Sequence, residues 1–169
     1  MKIAQNRFFL FLVVICILQI LYYAPRMPEQ MASHFDAAGA PNGWSTKTVF
    51  FGLYLGILGL LFLSFRVLPG LISRFPESMI NLPNKEYWLA VERKDETFLR
   101  IRERLMYMGN GVVIFLIATF QLVLLANFTE DRRMNAEVLW ILLLLFLIFT
   151  LSWTIKFIRL FRMPSEKSQ

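Results

Sequence analysis

The segment from residue 26 to residue 47 contains the residue types that are best suited to chemistry in this chain. It holds the single histidine, His34, with Asp36 two positions later. In an extended segment, alternate side chains lie on the same face, so the imidazole and the carboxylate would be neighbours. Such a pair could serve as a general acid and base, as half of a metal site, or as a hydrogen-bonded unit that holds the loop. The structural role is the preferred interpretation, ligand binding is second and catalysis is last.

More elaborate chemistry is disfavoured around His34. A serine–histidine–aspartate triad is not expected, because Ser33 and His34 are adjacent and would point to opposite faces. A metal would need further ligands, and the acidic residues predicted on the same side have no spacing that selects them. We therefore predict no catalytic residue, no metal site and no cofactor.

The same loop continues with residues that suit a binding surface at a membrane. Pro41-Asn42-Gly43 is typical of a turn, and Trp44 and Lys47 precede the next apolar run. An indole and a lysine are both favoured at the level of the lipid head groups. The predicted ligand-binding residues are His34, Asp36, Asn42, Gly43, Trp44 and Lys47.

The composition indicates that a membrane positions this loop. Of 169 residues, 57% are hydrophobic and only 18% are charged, which is too apolar for an ordinary soluble domain. Four uncharged runs are each long enough to cross a bilayer. We predict a single membrane domain over residues 1–169, all-α, with transmembrane helices at about 8–25, 48–66, 111–128 and 138–158. The third helix is expected to start after a bend at Gly109-Asn110-Gly111.

The distribution of Lys and Arg predicts the orientation. Fourteen of the 18 Lys and Arg residues fall in the N-terminal segment, in the loop at 67–108 with its flanks, and in the C-terminal tail. Basic residues favour the cytoplasmic side, so both termini and that loop are predicted to be cytoplasmic, and loop 26–47 to be outside. The net charge of +6 is then a consequence of topology, and the expected partner is the lipid bilayer rather than nucleic acid.

Two further patterns concern packing. From Asp95, the residues Phe98, Ile101 and Leu105 recur at helical spacing, which predicts an amphipathic helix at the inner surface, either as a packed elbow or as a docking surface. Gly52 and Gly56 allow close helix approach. Packing within the chain is favoured there, and a homo-oligomer is the alternative.

The outer loop also resembles a known family. The pattern His34-Phe35-Asp36, two residues, Gly39, then Pro41-Asn42-Gly43-Trp44 and Lys47, between two transmembrane helices, resembles the uncharacterised N-terminal domain of the SdpI-type toxin-immunity proteins. A second segment resembles a cytoplasmic motif of small membrane proteins with that domain, and its candidate docking residues are Asn81, Pro83, Asn84, Lys85, Tyr87 and Trp88. The resemblance implies a multi-pass protein of a bacterial inner membrane with a role in immunity or regulation.

Three functions remain open at this point. The first is a non-enzymatic protein that binds a peptide, a lipid head group or a membrane protein partner at the outer loop. The second is an enzyme acting on a lipid-linked or phosphorylated substrate, with His34 as acid or base and Lys47 or Arg26 holding the anion. The third is a structural accessory subunit. The absence of a nucleotide loop, a thiol pair or a convergent acidic set favours the first and third.

Overall fold

The computed structural model describes residues 3–163, and these are mostly helical. In chain order the elements are α1 (Ile3–Tyr23), β1 (Gln30–Phe35), β2 (Pro41–Thr46), α2 (Lys47–Phe62), α3 (Lys85–Trp88), α4 (Lys94–Ala126) and α5 (Ala136–Leu160). A π-helical turn at Leu63–Val67 and a 3-10 turn at Leu68–Arg74 extend α2, and shorter 3-10 turns lie at Ala24–Arg26 and Glu77–Met79.

Four segments are long enough and apolar enough to span a membrane, as the uncharged runs predict. They are Gln5–Arg26, Lys47–Arg74, Lys94–Ala126 and Ala136–Leu160. Helix α4 is central, since it packs against α1 on one side and α5 on the other, while α2 contacts both α1 and α4. We call the end of this bundle that carries β1 and β2 the hairpin end, and the end that carries residues 63–93 the linker end.

The expectation of an all-α chain is wrong at the hairpin end. Residues 26–47 contain a two-stranded antiparallel sheet, in which β1 pairs with β2. The β-branched and aromatic residues in this loop are few, so the strand propensity there is weak. The pairing depends instead on contacts with a distant loop, which are described below.

Helix α4 also begins earlier than predicted. It runs for 33 residues, about 50 Å at 1.5 Å per residue, without a break at Gly109 or Gly111. A Cβ on Gly109 would lie 2.6 Å from the Cβ of Phe65, and one on Gly111 would overlap the ring of Phe149. Both glycines therefore admit neighbouring aromatic rings, and the helix continues through them because packing outweighs their low helix propensity.

The amphipathic stretch is part of α4 and not a separate interfacial helix. Thr97, Phe98 and Ile101 are buried, because the linker folds over this part of α4. An apolar cluster joins this part of α4 to the linker end and to the residue after α5. Its buried members are Ile80, Leu82, Leu89, Phe98, Ile101 and Phe161. The Lys94 ammonium donates a 2.6 Å hydrogen bond to Glu77, which lowers the pKa of that carboxyl. The stretch thus forms the packed elbow that one interpretation of the sequence described.

Polar side chains tie three helices together inside the bundle. Gln19 on α1 donates to the Gln121 side chain on α4 at 2.8 Å, and the Tyr54 hydroxyl on α2 donates to Gln19 at 2.5 Å. Gln121 in turn donates to the hydroxyl of Tyr23 at 2.6 Å. Hydrogen bonds of this kind hold helices together in an apolar medium, where unpaired amides are costly.

The glycines of α2 do not pack against another described element. Apart from the backbone of α2 itself, no atom of residues 3–163 lies within 4 Å of a Cβ placed on Gly52, Gly56 or Gly59. The favoured expectation, that Gly52 and Gly56 form a helix contact within the chain, is therefore wrong for the described residues. That face of α2 is open, and an oligomer contact through it stays a prediction.

Candidate functional site

The hairpin has an irregular register that determines which residues face each other. Ala32 lies opposite Trp44 and His34 lies opposite Gly43, with a register shift between the two pairs at Ser33. Such a bulge adds one residue to one strand and re-aims the side chains that follow it. Here it brings His34 over Gly43.

Gly43 provides the space that the His34 ring occupies. A Cβ on Gly43 would lie 2.9 Å from the Cβ of His34 and 3.1 Å from its Cδ2. The imidazole itself is exposed and makes no hydrogen bond to any described residue. The motif thus presents an exposed imidazole without a hydrogen-bond partner among the described residues, on a short strand that is paired with β2.

Asp36 is occupied by the turn between the strands. Its Oδ1 accepts hydrogen bonds from the backbone N–H groups of Ala38, at 2.9 Å, and Ala40, at 2.8 Å. The backbone N–H of Asp36 donates to the Ala40 carbonyl, which closes the turn. Because β1 ends at Phe35, the alternation of an extended strand does not continue to Asp36, and no hydrogen bond joins the two side chains. The expected His34–Asp36 pair is absent from the structure.

The outer edge of β1 is filled by an asparagine from the other loop at this end. Asn127 Oδ1 accepts from the Ala32 N–H at 2.8 Å, and its Nδ2 donates to the Ala32 carbonyl at 2.9 Å. Both Asn127 and Ala32 are buried. The amide side chain therefore satisfies the backbone groups of Ala32 as a third strand would. Arg132 donates to the Gln30 carbonyl at 2.8 Å on the same edge.

The turn of the hairpin is fixed to the same loop. Gly39, at φ +79°, lies so close to Met134 that a Cβ would overlap the Met134 carbonyl oxygen. The Met134 N–H donates to the Gly39 carbonyl at 2.9 Å, and the Trp140 indole donates to the Ala37 carbonyl at 3.1 Å. The hairpin is thus held along one strand and at its tip.

The remaining loop candidates lie along β2 and at the start of α2. Trp44 is 50% exposed, and the guanidinium of Arg132 lies 5.2 Å from the centre of its ring. Asn42 is exposed. The Lys47 ammonium lies 3.7 Å from the Glu29 carboxylate, and the Lys47 N–H donates to the Glu29 carbonyl. Lys47 therefore closes the base of the hairpin.

The second motif lies at the linker end and caps α5. The Asn84 amide and the Trp88 indole both donate to the Phe161 carbonyl, each at 2.9 Å. The guanidinium of Arg93 lies 4.0 Å from the centre of the Tyr87 ring. Two donors on one terminal carbonyl satisfy a group that a helix end leaves free. Lys85 begins α3, Pro83 is partly buried and Asn81 is exposed beside them.

The two residues that fill the outer edge of β1, Asn127 and Arg132, were not among the sequence candidates. Asn127 is a polar residue at the end of an apolar run, which is a weak signal, and nothing local connects it with Ala32. Arg132 was counted only for its charge.

Within residues 3–163, no group of three or more His, Cys, Asp or Glu side chains is arranged to hold a metal ion.

Part of this chain matches a known protein family. Residues 11–58, which cover the second half of α1, the hairpin and most of α2, match the family model described as a domain of unknown function, DUF1648. Neither the curated proteins nor the solved structures contain a match to this chain. The four candidate spans suggest a multi-pass membrane protein, and the match shows that residues 11–58 are similar to that domain.

Proposed function

We propose that this protein is a non-enzymatic membrane protein that binds an extended peptide segment at its hairpin end. The observation that carries the proposal is the difference between the two edges of the hairpin. The edge of β1 is filled by Asn127 and Arg132, whereas β2 pairs only with β1 among the described residues. An open edge next to a fixed strand is suited to the addition of one more strand.

The side chains along β2 support a protein ligand. Asn42, Trp44 and Thr46 alternate along the strand and are exposed. Arg132 stacks near the Trp44 ring. Tryptophan and arginine are enriched among the residues that dominate binding energy at protein interfaces.

The location follows from charge and resemblance. The excess of Lys and Arg at the linker end and in the two terminal segments supports a cytoplasmic location for all three. The hairpin then lies on the outer side of the membrane. The resemblance to SdpI-type immunity proteins supports a bacterial inner membrane and a role in immunity or regulation. In this proposal the hairpin is the surface that meets the external peptide.

The enzyme alternative has little support from the geometry. Asp36 is engaged in the turn, so it is not available as a partner for the His34 imidazole. Lys47 is paired with Glu29, and Arg26 donates to the Tyr22 carbonyl. Both cations that the sequence suggested for holding the anion are therefore engaged by other groups.

A photo-crosslinking experiment tests the proposal. Benzoylphenylalanine would replace Asn42 on the open edge and, in a matched control, Val91, which is 90% exposed at the linker end. We expect ultraviolet irradiation of intact cells to give a peptide or protein adduct from position 42 only, and mass spectrometry identifies it. A Trp44→Ala background should reduce the yield severalfold. Identical adducts at both positions, or lipid adducts alone at position 42, would contradict peptide binding.

A further inference from the structure

A groove at the linker end lies between α1 and α5, with α4 as its floor. It has a volume of about 370 Å³. Phe8 on α1, Ile114 on α4 and Phe149 on α5 form apolar walls, and Gln5 and Asn110 also line it. Ile114 is 47% exposed, so the groove opens outward from the bundle toward the surrounding lipid.

The side-chain carbonyl oxygens of two amides in this groove lack hydrogen-bond donors. The Gln5 Oε1 and Asn110 Oδ1 atoms are buried and accept no hydrogen bond. The Asn110 residue as a whole is only 6% exposed. A buried carbonyl oxygen without a donor is costly, and most such oxygens are paired. The terminal torsions of these amides are broad, so a small rotation would turn either oxygen toward an occupant of the groove. The missing partner is a hydrogen-bond donor.

Positive charges lie on the linker side of the same helix faces. Arg104 lies about one turn of α4 before Tyr107, which lines the groove. Lys156 lies two turns of α5 after Phe149. Within residues 3–163, neither side chain forms an ion pair. An occupant with a negative group next to its donors would therefore meet complementary charge.

We propose that this groove binds one molecule of phosphatidylethanolamine from the leaflet at the linker end. An acyl chain lies against Phe8, Ile114 and Phe149, and the phosphate lies at the linker side of the groove, where it faces Arg104 and Lys156. The ethanolamine arm turns back into the groove, so that its ammonium donates to the oxygens of Gln5 and Asn110. The proposal is independent of peptide binding, because the groove and the hairpin lie at opposite ends of the bundle.

Native mass spectrometry of the full-length protein in detergent tests this proposal. Phosphatidylethanolamine and phosphatidylcholine with identical acyl chains would be titrated separately, because they differ only at the head-group nitrogen, which carries three donor hydrogens in the first and three methyl groups in the second. We expect the wild type to bind phosphatidylethanolamine about fivefold to tenfold more tightly, as is typical for one or two net hydrogen bonds. Asn110→Leu, which keeps the branched shape of the side chain and removes the acceptor, should bring this ratio close to one.

Two further variants make the result decisive. Thr119→Val removes another unpartnered polar atom of α4 that does not line the groove, so it should keep the wild-type ratio. If Asn110→Leu fails to fold, Gln5→Met at the start of α1 replaces it and should reduce the ratio. Equal affinities for the two lipids in the wild type would overturn the proposal, as would a preference that survives both groove substitutions. A preference for phosphatidylglycerol over both lipids would also overturn it, since charge alone would then select the lipid.

Discussion

Gly43 controls the position of the only imidazole in the chain. Gly43 and His34 lie directly opposite each other on neighbouring strands. Because Gly43 has no side chain, the His34 side chain can pack against its backbone. This role follows from the shape of the site and requires no unusual backbone angle at Gly43, since the positive-φ residues lie elsewhere. The glycine is thus needed for cross-strand packing.

Gly43→Ala should destabilise the protein by about 1–3 kcal/mol, as expected when a carbon is forced into a filled space. The new Cβ would lie 2.9 Å from the Cβ of His34. A lower midpoint of thermal unfolding in detergent checks this. His34→Gly in the same chain removes the obstructing atoms and should restore most of the loss. Unchanged stability of the single variant would show that the strands are not held at this distance.

Asn127→Leu should have a larger effect, because it leaves two backbone groups of Ala32 buried without partners. We expect a loss of about 2–6 kcal/mol, at about 1–3 kcal/mol for each of the two unsatisfied groups. Hydrogen exchange should also become faster at Ala32 in the variant. Asn135→Leu, which removes a helix-capping side chain in the same loop, serves as a control and should leave exchange at Ala32 unchanged.

Helix α4 shows at the scale of elements where sequence reasoning succeeds and where it fails. The four apolar runs identify the spans, because hydrophobic length is a property of each segment alone. The continuation through Gly109 could not be predicted, because it depends on Phe65, which comes 44 positions earlier in the chain. The hairpin was missed for the same reason, since Asn127 fills its edge from another loop. The candidate residues His34 and Trp44 were identifiable, whereas the position of Asp36 in the turn was not.

Substitution of glycine by alanine separates packing from flexibility in these helices. If Gly109 served as a bend, Gly109→Ala would stabilise α4, since alanine has the higher helix propensity. We expect instead a loss of about 1–3 kcal/mol from overlap with Phe65. Gly52→Ala, in open space on α2, should be neutral or slightly stabilising in the same unfolding assay. A stabilising Gly109→Ala would contradict the close packing of α4 against Phe65.

At the scale of the whole molecule, the two ends of the bundle should differ in chemical accessibility. The Asn42→Cys and Val91→Cys variants place thiols at exposed positions of opposite ends, while the native Cys16 is buried. We expect a membrane-impermeant maleimide to label position 42 in intact cells and position 91 only after permeabilisation. Labelling of position 91 in intact cells would reverse the orientation that the Lys and Arg distribution predicts.

The hydrogen bonds between Asn127 and Ala32 also impose an order on biosynthesis. The two residues are 95 positions apart, so the strand leaves the ribosome well before the side chain that completes its edge. At a synthesis rate of about 5–20 residues per second, this interval lasts about 5–20 s. During that time the nascent hairpin has unpaired backbone groups on both edges. The amino-terminal half of the chain therefore completes its fold only after α4 has been inserted, and a chain truncated before Asn127 would expose two open strand edges.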